Sequence, residues 1–579
     1  MKNFLIGLVS GVLLAALTAF ILVFVIVRFA ASFGERPPTV ADGSTLVFQL
    51  EGDVPEKAPT EIPFPFFQQR SAITVEQVWE TFHKAAADGR IKAILLEPRD
   101  LSVGWAKLQE IHQQILGFKK SGKPIISFLR SPGAREYYLA SATDRIFMMP
   151  EDTLDLKGLR VESVYLKNTL DKVGVKMDVI HAGKYKDAGD MFTQTSMSPE
   201  TREVLNEVLD QYYGNLIETI ATGRNKQPEQ IRETIDQGPF MGDQAKSDGL
   251  VDVLGFEDQA VQDLQKKLNQ SQLKRVPVRG YLQLPASSVG AAGGQKIALV
   301  VGEGDIVQGT GNGIGEEAGI TSGGFTKLLK QVGNDSSIKG VIMRIDSPGG
   351  DGVASDEILQ QAKDLSKKKP LVISMGDVAA SGGYFIAMTG DPIVAYPNTL
   401  TGSIGVIFAK ANLRGLYDKI GVDKQLLTRG RFATLDSDYT PLTQDEQQKL
   451  REEIDGFYKG FVSRVADGRK RSYQQIEPLA QGRVWLGAQA KQNGLIDQLG
   501  GLDRAIDLVK ERAHIPAADK ITLVSYPPKR SVIEVLMNRS DDSAEIQLKA
   551  VRKILGELPL SIMQRGGFLK RMPLEIRVR

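Results

Sequence analysis

The chain carries one stretch of sequence twice. LDKVGVKMDVIHAGKYKD at 170–187 reads against YDKIGVDKQLLTRGRFAT at 417–434, so that Asp171 falls opposite Asp418, 247 positions on. The same offset aligns Ile91-Lys92 with Ile338-Lys339, Tyr137 with Tyr384 and Asp144 with Asp391. MGDQAKSDGLVD (241–252) matches LGAQAKQNGLID (486–497), and LEGDV (50–54) matches GEGDI (302–306), in the same order along the chain. A collinear repeat of this length requires two copies of one folded unit. Their boundary falls in the polar, small-residue stretch around 268–295, which includes SSVGAAGG.

Within each copy strand and helix signals alternate. In the second, KIALVV reads as a buried strand, GFTKLLKQV as a helix, GVIMRI as a strand, VASDEILQQAKDLSKKK as a helix and PLVISM as a strand, followed by helix-compatible GGYFIAM. This alternation predicts an α/β fold with a parallel sheet and helical crossovers. Functional groups in such sheets gather at the carboxyl ends of the strands.

That is where the copies differ. The second has IDSPGGDG (345–352) after its strand, where the first has PRDLSVGW (98–105) without paired glycines. The second has MGDVAASGGYF (375–385), and the first has LRSPGAREYYL (129–139), with Ala134 opposite Ser381. Conversely, the first has Lys186 in GKYKD, and the second has Ala433 there. One copy thus holds a serine and paired glycines and the other a lysine, a split complement.

These residue types suit acyl transfer. A serine hydroxyl attacks well only when a neighbouring base takes its proton. A lysine could be that base once neutral. At a reference pKa of ~10.4, neutralising it at pH 7 costs ~4–5 kcal/mol in water, and burial lowers that cost. Glycine pairs let backbone N–H groups point at a developing oxyanion, and the N–H of Gly382, at a predicted helix start, suits the same charge. Each feature also has a plain reading: a turn at Gly349-Gly350, a helix cap at Ser381, a solvated Lys186. Lys184 and His181 compete with Lys186 for the role of base.

Composition narrows the chemistry further. The chain of 579 residues has no cysteine, which removes disulfides, thiol catalysis and Cys-ligated metal sites. Its four histidines form no HExxH or close pair, and a net charge of +2 gives no reason to expect nucleic acid. No cofactor is expected. From Phe4 to Val27 there is no charged residue. As a helix this stretch spans ~36 Å, enough for a ~30 Å hydrocarbon core. It exceeds the apolar region of a cleaved signal peptide, so residues 1–28 read as an uncleaved transmembrane anchor and 29–44 as a tether. Lys2 and Arg28 leave its orientation undecided by charge.

DSPGG, AASGGYFIAM, TGSIGVI and GKYKD…MSPE, in this order and spacing, closely resemble the signal peptide peptidase A family of bacterial membrane proteases in its long, tandem-domain form. The resemblance covers roughly residues 45–525. It implies tandem domains resembling the Clp protease and crotonase folds, a βα superhelix, at 45–270 and 296–526, with a linker at 271–295. It implies a serine endopeptidase with a Ser–Lys dyad: Ser381 the nucleophile, Lys186 the general base, Ser403 orienting the lysine, and Gly350 and Gly382 supplying oxyanion N–H groups. It further implies cleaved signal peptides as substrates and a ring-like homo-oligomer, a tetramer. The anchor would place the catalytic body on the extracytoplasmic side of a bacterial cytoplasmic membrane. Alternatives are a crotonase-like acyl-CoA enzyme, whose glycine N–H pairs stabilise enolates, and a silent membrane scaffold. Neither explains the Ser/Lys split. The tail, 527–579, ends in basic FLKRMPLEIRVR, and packing on the body, contact with lipid headgroups and a solvated tail all fit it.

Overall fold

The computed structural model describes residues 18, 40–57, 72–310, 319–527, 567–571 and 578. The expected anchor (apart from Thr18), most of the tether and the centre of the glycine-rich segment 309–325 lie outside them. Among the described residues no helix is long and apolar enough to cross a membrane.

Each copy builds a sheet with a run of six parallel strands in the same order; in the second copy Leu400–Gly402 also pairs with Leu371–Ala380 and carries Val484–Leu486 antiparallel on its far side. In the first it runs Val253–Leu254, Arg145–Met148, Ile125–Leu129, Ile91–Arg99, Ser44–Glu51, Lys274–Pro277. In the second it runs Gln498–Leu499, Ile393–Ala395, Leu371–Ala380, Ile338–Ser347, Gln295–Glu303, Ile521–Tyr526. The central strands are buried almost without interruption because helices cover both faces. Segment 271–295, expected to be a linker, contains the edge strand Lys274–Pro277 and the helix Val278–Leu282. Lys84 Nζ fastens that helix's end by donating to the carbonyls of Tyr281, Leu282 and Leu284.

Small contacts repeat with the fold. Tyr137 Oη donates to Leu250 O and Tyr384 Oη to Leu495 O, each at 2.7 Å. The 26-residue helices Pro199–Arg224 and Gln444–Arg469 start on Ser198 and Thr443 caps. They end with Arg224 paired to Asp252 and Arg469 to Asp497.

One break in the repeat builds the site. Strand Lys176–Ala182 belongs to the first copy, and its counterpart at 423–429 forms no strand. Strand Val406–Asn412 belongs to the second, and its counterpart at 159–165 has only a single bridge at Val161. These two unmatched strands pair with each other, antiparallel, from Ala182 opposite Val406 to Lys176 opposite Asn412. The segment that follows Lys176–Ala182 is thereby delivered to the second copy.

Candidate active site

Ser381 follows directly on strand Leu371–Ala380 and precedes the short helix Gly382–Ile386. Its backbone has φ 55° and ψ −115°, a strained geometry for a residue with a side chain, and its hydroxyl makes no capping bond. The cap reading therefore does not account for it. The helix has only five residues, so its dipole is weak, and the local N–H groups matter more.

Lys186 meets this serine. The chain turns after Ala182, with Lys186 N donating to Gly183 O, and the turn rests on the second copy through Tyr185 N to Gln481 O at 2.9 Å. Lys186 Nζ then lies 2.9 Å from Ser381 Oγ, 3.0 Å from Ser403 Oγ and 3.1 Å from Ser403 O. All three residues are fully buried. Ser403 also has a positive φ, 49°, and its N–H donates to Arg483 O. Lys184 is exposed, with Nζ over the Tyr185 ring, and His181 is exposed, with Nδ1 against Gly183 O.

Burial pushes the Lys186 ammonium well below the ordinary lysine range, against a smaller opposing pull from Asp187. The three contacts fit a neutral amine. Its two N–H groups can serve the Ser403 oxygens, leaving the lone pair for the Ser381 hydroxyl proton. Asp187, itself raised to about 6 by burial, accepts from Thr201 Oγ1.

Gly349–Asp351 is a short strand beside the serine. A Cβ on Gly382 would lie 3.1 Å from Gly350 N, so these two glycine positions face one another. Gly350 has φ 152°, and a Cβ there would come 2.1 Å from Ile306 O, which restricts the position to glycine.

Several supporting residues carried no sequence signal that singled them out. A Cβ on Gly482, φ 75°, would lie 2.6 Å from Lys186 Cβ, so the missing side chain is what admits the lysine stem. Arg483, next to it, reaches back to the first copy through Tyr185, Glu203 and Glu207. A second clamp is Lys107 of the first copy, 4% exposed, whose Nζ lies 2.7 Å from Asp346 Oδ2. Glu303, Asp377 and Glu56 stand within 4.0 Å of it. Asp346 Oδ1 in turn accepts from Val378 N, and Asp377 accepts from Ala106 N and Lys107 N. Asp346 and Asp377 lie four residues before Gly350 and Ser381, so the first copy grips both segments that carry these residues. Cross-copy complementarity between GW-A-K at 104–107 and the two aspartates was present in the sequence but unreadable without knowing that they meet.

Comparison with known proteins agrees with this architecture. The Peptidase family S49 profile matches twice, at 117–271 and 363–516, at the spacing of the repeat. "Serine protease SPPA, chloroplastic" of Arabidopsis thaliana is 34% identical over 542 residues, covering 93% of this chain and 79% of its own. "Protease 4" of Haemophilus influenzae is 30% identical over 560 residues, covering 91% and 89%. "Protease 4" of Salmonella typhi is 31% identical over 494, covering 82% and 78%. A solved ClpP1 mutant from Listeria monocytogenes aligns with 36% of this chain and 94% of its own at 16% identity and a TM-score of 0.22, too low to rest anything on. With the profile recurring at the repeat spacing and about a third of residues shared across most of both chains, this chain belongs to peptidase family S49, as a tandem-domain serine-type endopeptidase.

Proposed function

We propose that the chain cleaves peptides by a Ser–Lys dyad, with Ser381 as nucleophile and Lys186 as general base. The observation that carries this reading is the 2.9 Å contact between Lys186 Nζ and Ser381 Oγ in a fully buried setting. Neutral Lys186 takes the Ser381 proton as Oγ attacks the scissile carbonyl. The N–H groups of Gly350 and Gly382 receive the oxyanion. Protonated Lys186 then gives its proton to the leaving amine, and the acyl group stays on Oγ. A water repeats the sequence and frees the acid. Ser403 holds the amine through two oxygens so that its lone pair faces the serine.

The substrates are signal peptides left after preprotein processing, and other extended membrane-associated peptides. Residues 1–28 anchor the protein in a bacterial cytoplasmic membrane with the catalytic units outside the cytoplasm. The two units are βα superhelices of the Clp protease and crotonase type. Chains assemble into a homo-oligomer, supported by the exposed apolar Val164, Leu426 and Leu427 on the segments whose counterparts pair within the chain.

Labelling with a fluorophosphonate or peptide aldehyde should modify Ser381 alone. Ser381→Ala and Lys186→Ala should each abolish cleavage of a fluorogenic peptide while the circular dichroism spectrum is kept. Full activity in either variant would falsify the dyad. Carbonate extraction tests the anchor, and light scattering of detergent-solubilised protein tests the assembly.

A further inference from the structure

Ser403 hangs on a three-residue strand. Leu400–Gly402 ends directly before it, pairs parallel with residues 378–380 and antiparallel with Val484–Leu486, and offers Gly402 O to Ser381 N at 2.8 Å. Ser381 is also held by its own strand and by the grip on Asp377, so the placement of Leu400–Gly402 bears chiefly on Ser403.

The first copy fixes the near end of that strand through one residue. Asn398, two positions before it, is fully buried, and each of its four polar groups has a partner on the first copy. Its N–H donates to Gln109 Oε1 at 3.1 Å and its Nδ2 to Asn215 Oδ1 at 3.0 Å. Its Oδ1 accepts from Gln211 Nε2 at 3.4 Å and its carbonyl from Tyr212 Oη at 3.1 Å. A buried asparagine satisfied in this way by another folded unit is fixed in both position and orientation.

The far end is held by the same helix. Glu203, Glu207, Gln211 and Asn215 recur every four residues along Pro199–Arg224 and form one stripe about 18 Å long. Glu203 and Glu207 accept from Arg483 Nη1 and Nη2 at 2.6 and 2.7 Å, and the Arg483 carbonyl takes the Ser403 N–H. Gln211 and Asn215 hold Asn398. At the start of the helix Thr201 Oγ1 donates to Asp187, the residue after Lys186. One helix therefore spaces the lysine's turn, the Ser403 N–H and the start of the Ser403 strand.

The repeat shows that a copy folds without this contact. At an offset of 245 the helix Gln444–Arg469 has Gln448, Glu452, Gly456 and Gly460 at these positions, and Glu151 stands 247 positions before Asn398. Glu151, Gln448, Glu452 and Gly456 are exposed. The stripe and Asn398 thus form a second split complement, beside that of the serine and the lysine.

We propose that Asn398 is a positioning residue: together with the stripe on Pro199–Arg224 it sets where Ser403 stands, and so where the Lys186 amine points. The proposal rests on the reading of Ser381 and Lys186 as the dyad and of Ser403 as the group that orients the lysine.

The test is a double-mutant cycle on the full chain, read by steady-state kinetics on a fluorogenic peptide at matched folded fractions. Asn398→Ala should lower kcat between about 10- and 100-fold with KM little changed. Because Asn398 acts through Ser403, the same substitution in a Ser403→Ala chain should cost less than about threefold. A general loosening of the fold would instead lower activity by the same factor in both backgrounds, and that result, or a change in KM alone, overturns the proposal. Asn215→Leu carries the same cycle should Asn398→Ala fold poorly. Asn215→Asp keeps the acceptor for Asn398 Nδ2 and should recover most of the kcat lost in Asn215→Leu; equal losses in the two count against the proposal. Fluorophosphonate labelling of the parent reads the dyad separately. A parent that does not label at Ser381 refutes the nucleophile and the proposal with it, whereas labelling at Ser381 together with equal factors in both backgrounds overturns the role of Asn398 alone.

Discussion

Lys186 Nζ and Ser381 Oγ are 2.9 Å apart although 195 positions separate them in the chain. One carries a potential positive charge and both are fully buried, so the contact constrains stability as well as chemistry. The folded lysine holds its proton less tightly than the unfolded one. Between the depressed value and the ordinary lysine range near ~10.4, the unfolded chain binds the extra proton, so stability rises with pH across that window. Lys186→Met removes this penalty. The variant should lose activity by roughly 10⁴-fold or more yet melt higher than the parent. Its advantage should be greatest at low pH and shrink towards pH 10. Scanning calorimetry across pH checks this, and a lower melting temperature throughout would contradict it.

Ser403→Ala removes one of two acceptors that orient the lysine, while the Ser403 carbonyl remains. Loss of one such bond is worth about 1–3 kcal/mol, or roughly 10–100-fold in rate. The loss should appear in kcat, with KM little changed, because Ser403 touches the base and not the peptide. Steady-state kinetics would show an effect on KM alone if that assignment is wrong.

Gly482→Ala should displace the lysine stem. The added Cβ would meet Lys186 Cβ at 2.6 Å, in addition to a backbone cost of about 1–2 kcal/mol for a left-handed alanine. Gly421 is the control: φ is 73° and nothing lies within 4 Å of the place its Cβ would take, so alanine there carries the backbone cost alone. Activity should fall at least about tenfold more in Gly482→Ala than in Gly421→Ala at matched folded fractions.

Lys107→Met should leave the half-buried Asp346, Glu303 and Asp377 without the cation between them, while Glu56 keeps its ion pair with Arg344 at 2.7 Å. Breaking a buried pair in this way costs about 3–5 kcal/mol. Burial already raises Glu56, Glu303 and Asp377 above the usual carboxylate range, and loss of Lys107 raises them further. The deficit should therefore be largest at neutral pH and diminish as pH falls and the carboxylates protonate. Urea denaturation at several pH values reads this out. A deficit that grows towards acid would show that Lys107 does not offset these charges.

Much of this protein was legible from residues alone. The duplication, the βα alternation of each copy and the complementary loss of Ala134 against Ser381 and Ala433 against Lys186 all follow from local sequence. Strand and helix periodicities are short-range, so KIALVV, GVIMRI and PLVISM announced their strands. The sheet's edge at Lys274–Pro277 was less visible, because a four-residue strand containing proline in a polar stretch has too little pattern to stand out.

Tertiary structure decided the rest. Lys184 and Lys186 lie in a turn, where strand periodicity no longer says which side chain faces inward, and contact with Gln481 and Gly482 of the other copy selects Lys186. The pairing of Lys176–Ala182 with Val406–Asn412 joins two copies through main-chain hydrogen bonds, which almost any sequence can make. The strand Gly567–Arg571, which pairs with both Gly349–Asp351 and Val406–Asn412, was invisible for the same reason. Sequence determined which groups could react; backbone pairing between distant segments determined which of them meet.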